Sequence, residues 1–156
     1  MLSCVRVGPV MSRIEFEEAD VPRASIAALA ARAALTDEDV AHLRRRVLRF
    51  GFVTRAEAEA LFEIDGSPAQ KPESWTALLV EALTDHLVWQ SRPTGVLSPE
   101  QADWVLDRAA QVPTLAGLAL LVNILVEAHA VPASYLVTVK ARAALWPGLD
   151  KFLSAA

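Results

Sequence analysis

Residues 47–62 read VLRFGFVTRAEAEALF. The stretch holds the end of one helix, a tight turn and the start of another. Val40, Leu43, Val47 and Phe50 recur at helical spacing, and Gly51 breaks the pattern. Thr54 and Glu57 then form a capping box. The hydroxyl accepts from the backbone three residues on, and the carboxylate reaches back to the threonine's own N–H. Apolar residues at helical spacing follow to about Ile64.

The same grammar extends outward. Upstream, Thr36 precedes Asp37, Glu38 and Asp39, a hydroxyl cap followed by acids near the positive end of a helix dipole. Downstream, Ser98-Pro-Glu-Gln101 is another capping box, with proline at the first helical position. Between them, Asp65 to Pro72 reads as a loop, and a third helix runs from about Ser74 to Gln90. Pro113-Thr114 opens a fifth helix and Pro132 a sixth, which Trp146-Pro-Gly148 stops. A short last turn is expected from Asp150. No segment alternates with period two long enough to be a strand. The expectation is an all-α, compact single-domain bundle of about six helices over residues 36–156. Residues 1–35 read as a tail or arm, helical in part over Ala24–Leu35. Met11 is as plausible a start as Met1, and removing residues 1–11 is expected to change little. A faint echo aligns Val47-Leu48 and Val53-Thr54 with Val105-Leu106 and Val112-Pro113, suggesting two helix–turn–helix units around the third helix.

Composition narrows the function classes. The 156 residues are 53% hydrophobic and 22% charged, enough to bury a core. A net charge of −4 argues against nucleic acid as partner, although nine of the 15 basic residues precede Ala56. One cysteine, Cys4, allows no internal disulfide and suits a reducing, cytoplasmic compartment. The apolar start is broken by Arg6 and Pro9, unlike a signal peptide. The most apolar run, Leu115–Val131, holds Asn123, Glu127 and His129 and reads as a buried helix, so no membrane span is expected. The apolar surplus, a mean hydropathy of +0.30 with four tryptophans, suggests a dimer or another protein partner.

Three motifs resemble a known family: residues 47–62, SWTALLVEALTDHLV (74–88) and VLSPEQADWVLDRA (96–109). They resemble an alphaproteobacterial family of helical proteins without an assigned role, which in turn is similar to the tellurite-resistance TerB-like domain. The resemblance spans Thr36 to Leu145. It implies an all-helical fold with two helix pairs, an acid after each tight turn, metal or partner binding and a stress-related role, and it does not imply an enzymatic activity. Glu57 matches the first acid. The second turn departs, since Gln111-Val-Pro113 lacks the expected Asp-Gly and Gly117 stands where an acid belongs.

Site chemistry centres on Glu81 and Asp85, one helical turn apart on an otherwise apolar helix. Buried carboxylates cost several kcal/mol unless paired or bound to a cation. A structural ion pair with Arg44, Arg45 or Arg49 is the first expectation. A divalent-metal site on Glu57, Glu81 and Asp85, serving a small enzyme or sensor, is the alternative. His42, His86 and His129 have no ligand-spaced partner, though His86 adjoins Asp85. Asp65-Gly66 fails as a calcium loop, because Leu61 and Pro72 would occupy positions that need carboxylates. Arg44-Arg45-Arg46 with Arg49, and Glu100, Asp103 and Asp107, read as solvated faces.

Overall fold

The structure, a computed structural model, describes residues 28–146. It is all-α, as the caps and periodicity predict. The elements are α1 (Asp37–Val47), α2 (Arg55–Gly66), α3 (Glu73–Thr84), a π-helical turn (Asp85–Trp89), α4 (Pro99–Gln111), α5 (Leu115–Glu127) and α6 (Ala133–Ala144). Among the described residues the only β pairing is two isolated parallel bridges, Ala34 with Gln70 and Val96 with Ala130. Thr36, Thr54 and Ser98 each close a full capping box. Thr114 caps α5 by accepting from the Gly117 N–H, and there glycine supplies no returning carboxylate.

The described helices fall into two three-helix units of like pattern, α1–α3 and α4–α6. The register comes from the caps: Thr36 matches Ser98, Thr54 matches Thr114, and Pro72 matches Pro132. Buried positions then coincide. Val40, Leu43 and Val47 match Ala102, Val105 and Ala109; Ala58, Leu61 and Ile64 match Leu118, Leu121 and Ile124; Trp75 and Leu79 match Tyr135 and Val139. Even the two bridges correspond. The Leu35 N–H donates to the Gln70 carbonyl at 2.8 Å, and the Leu97 N–H to the Ala130 carbonyl at 3.0 Å. The echo expected from Val47-Leu48 and Val105-Leu106 therefore exists, but in another register. Those dipeptides are a chance match, because α4 has 13 residues and α1 only 11.

The two units share one core, and the largest interface lies between α3 and α5. Residues 28–35, expected at the end of the arm, rest on this core. Leu35 is buried, Leu29 and Ala30 pack beside it, and Arg32 pairs with Asp39 at 2.7 Å. Residues 1–27, with most of the expected arm, and 147–156, with the expected last turn, lie outside the described part.

Asp65 belongs to the last turn of α2 rather than to a loop, and is only 5% exposed. Its Oδ1 accepts from Trp75 Nε1 of α3 at 2.9 Å. Its Oδ2 accepts from the Thr114 hydroxyl, which itself accepts from the Gly117 N–H at 2.9 Å. One carboxylate thus joins the ends of three helices, and Trp75 is 1% exposed around it. Hydrogen bonds to a charged group contribute about 1.5–3 kcal/mol each, and stranded buried donors cost a similar amount. Asp65→Ala is expected to destabilise the domain by about 3 kcal/mol, measured by urea denaturation. A loss below about 1 kcal/mol would show that the network contributes little.

Candidate functional site

α3 continues into the π turn, where the Gln90 N–H donates to the Asp85 carbonyl at 2.8 Å, five residues back. The wider turn sends successive side chains to two sides. His86 and Gln90 reach the α1–α2 turn: His86 Nδ1 donates to the Val53 carbonyl at 2.8 Å, and Gln90 Oε1 accepts the Val53 N–H at 3.0 Å. Asp85 and Trp89 turn the other way, toward α5. Adjacency in sequence therefore does not make Asp85 and His86 an acid–base pair.

On the Asp85 side lies an open groove of about 490 Å³ between α3 and α5. Ala77 and Val80 form its apolar part; Glu73, Glu81, Asp85 and Glu127 surround it. Glu127 is held by two neutral donors, Trp89 Nε1 at 2.8 Å and Asn123 Nδ2 at 3.0 Å. The same Asn123 amide reaches the buried Thr84 hydroxyl at 3.0 Å. Glu81 pairs with Arg44 of α1. Asp85 has no cation within ion-pair distance among the described residues. Partial burial, then the charges of Glu81 and Glu127, push its carboxyl above the usual carboxylate range.

The expected site residues are thus distributed unevenly. Glu81 and Asp85 do share a face, and Arg44 is the partner of the first. The expectation of a buried pair is corrected, because the side chains of Arg44 and Glu81 are 39% and 46% exposed. A helix that reads as core all round has one edge at the surface. Glu57 stands apart from the groove: its Oε2 accepts from the Thr54 N–H at 2.8 Å and hydroxyl at 2.9 Å, which commits it to the cap. The metal set Glu57, Glu81 and Asp85 is therefore not brought together. Among the described residues no three His, Cys, Asp or Glu side chains are grouped to hold a metal ion. Glu127, Asn123 and Trp89 are the groove residues that the site reading missed. Asn123 and Glu127 are spaced four apart in an apolar run, just as Glu81 and Asp85 are, and that spacing was the available signal.

His86 packs edge-on against Trp104 at 6.3 Å, and Arg55 stacks over the same indole at 3.7 Å. Burial, with a smaller contribution from Arg55, holds the imidazole below its usual pKa against the upward pull of the Val53 carbonyl. Among the described residues no helix is long and apolar enough to cross a membrane. The chain matches no known family model, no curated protein and no solved structure.

Two predictions follow from these charges. The folded chain binds a proton at Asp85 more readily than the unfolded chain does. Stability from this group therefore falls as pH rises through the carboxylate range, leaving a fixed penalty at neutral pH. Asp85→Asn should raise the denaturation midpoint at pH 7, with the gain shrinking toward pH 4, while Glu81→Gln should cost no more than about 1 kcal/mol. A destabilised Asp85→Asn chain at pH 7 contradicts this. For His86 the sign is opposite: the unfolded chain protonates first, near 6.5, so stability should fall as pH drops below that value. His86→Asn, which keeps a donor for Val53, should flatten the profile between about pH 7.5 and 5.5; an unchanged slope would assign the titration elsewhere.

Proposed function

We propose that this chain is a non-enzymatic binding module whose α3–α5 groove takes a cationic segment of a protein partner. The observation that carries the reading is Asp85, a half-buried carboxyl crowded by Glu81 and Glu127 and without a counterion among the described residues. A lysine or arginine placed there would relieve the crowding and gain a charge-assisted hydrogen bond. Ala77 and Val80 would meet the apolar stem of such a side chain. The TerB-like resemblance implies a stress-related setting, and the single cysteine a cytoplasmic one; a partner-binding module fits both. A second copy of the chain is one partner of this chemistry, consistent with the dimer expected from the apolar surplus.

The metal-dependent enzyme or sensor is the competing reading, and one experiment separates the two. A labelled amphipathic Lys/Leu peptide, titrated against the chain and followed by anisotropy, should bind with a Kd on the order of 10–100 µM at low salt. Binding should weaken about tenfold in the chain carrying Glu81→Gln, Asp85→Asn and Glu127→Gln, and fade as salt rises. Equal affinity in that variant removes the groove as the site. A midpoint shift that saturates with Ca²⁺ or Mn²⁺, and is lost in the same variant, would favour the metal reading instead.

A further inference from the structure

The strongest unexplained surface lies at the α1–α2 turn. Phe50 is 81% exposed and Phe52 is 58% exposed, on either side of Gly51, which adopts a positive φ of 63°. Arg45, Arg46 and Arg49 are exposed on the same edge, and the Arg49 guanidinium lies 5.1 Å from the Phe50 ring. This is not a frayed loop. The turn is anchored where Val53, itself fully buried, gives its N–H to Gln90 and its carbonyl to His86. The Gly51 N–H closes the other side on the Leu48 carbonyl at 3.1 Å. A rigid turn holds two phenylalanines out into water among three arginines, in a chain whose net charge is −4. Removing two such rings from water is favourable, which makes this edge a candidate docking surface.

The chain carries a segment of complementary chemistry. Residues 14–21 read IEFEEADV: Glu15, Glu17, Glu18 and Asp20 bring four negative charges, Ile14, Phe16 and Val21 bring apolar surface, and no basic residue interrupts them. The tether is long enough. The described chain starts at residue 28 and passes the N-terminal end of α1, where Arg32 meets Asp39. α1 is 11 residues, about 16 Å. The eight residues from Asp20 to Ala28 span up to about 26 Å when extended. Covalent linkage raises the local concentration to roughly the millimolar range, so a weak salt-sensitive contact suffices.

We infer that residues 14–21 dock on the Arg45/Arg46/Arg49–Phe50/Phe52 edge of the same chain. The occupant is the chain's own acidic segment rather than nucleic acid or an anionic membrane, because it supplies carboxylates for the arginines and apolar side chains, Ile14, Phe16 and Val21, for the exposed phenylalanine rings.

A disulfide trap on the full chain tests this. In a Cys4→Ser background, Ala19→Cys is combined with Ala56→Cys, an exposed position just beyond the turn. Closed-monomer disulfide should form under mild oxidation, and about tenfold more slowly when Arg45, Arg46 and Arg49 are changed to Glu. Changing Glu15, Glu17 and Glu18 to Lys in that reversed chain should restore the rate. High salt, roughly 0.5 M, should slow closure in the unreversed chain. Rates indifferent to charge reversal overturn the proposal, as do disulfide-linked dimers in place of the closed monomer.

Discussion

The helix ends of both units meet at a buried carboxyl that has no cation beside it among the described residues. Asp65 sits at the meeting point of α2, α3 and α5, where its partners among the described residues are an indole N–H and a threonine hydroxyl. A buried carboxyl of this kind tolerates few arrangements, since each donor must arrive at its own oxygen. It fixes the angle at which α3 leaves the α2–α3 loop, through Trp75. It also fixes where α5 begins, because Thr114 both caps α5 and donates to Asp65. Apolar packing alone would let these helix ends slide; directional bonds do not. Since Asp65 engages the starts of both α3 and α5, it ties together the two helices that border the groove.

The two units meet the same problem differently. Each places a large aromatic residue three positions after a helix-opening proline, Trp75 after Pro72 and Tyr135 after Pro132, and buries it completely. An aromatic ring with a polar atom can occupy such a site only if that atom finds a partner. Tyr135 donates to the Leu121 carbonyl at 2.9 Å within its own unit, and burial keeps its hydroxyl protonated. Trp75 instead uses the Asp65 carboxylate, which also engages the second unit. The asymmetry lies where an acid stands in α2 and Leu125 stands at the matching position of α5. The two units thus present matching scaffolds, and Asp65 adds a polar link between them to the core they share.

This explains which parts were legible in the sequence. Caps and periodicity are local, so Thr36, Thr54, Ser98 and Thr114 mark their helices within a few residues of the observed ends. Asp65 was read as loop because Asp-Gly followed by Ser-Pro resembles a turn, while its partners Trp75 and Thr114 lie 10 and 49 residues away. No periodicity encodes such a pairing. Glu57 was over-read: in a capping box the acid at the third position is occupied by the backbone before any metal can claim it. The repeat was visible as an echo but not in register, because apolar dipeptides recur by chance in an Ala- and Leu-rich chain whereas caps do not.

The acids on an otherwise core-like helix can now be placed. α3 is surrounded by α1, α2 and α5, which accounts for its apolar circumference, yet no element closes the gap between its outer edge and α5. An exposed edge between two packed helices could have been filled with neutral polar groups at no electrostatic cost. Thr76, Thr84 and Asn123 show that such residues are compatible with the site. Glu81 has a structural use, since it ties α1 through Arg44. Glu127 is held in place by Trp89 and Asn123. Asp85 makes neither kind of contact, and its charge opposes both neighbours. Of the three groove acids, Asp85 is thus the one whose charge is opposed by its neighbours and offset by no side-chain bond among the described residues. The π turn strengthens the point, because it orients Asp85 toward the groove at the expense of regular α-helical bonding.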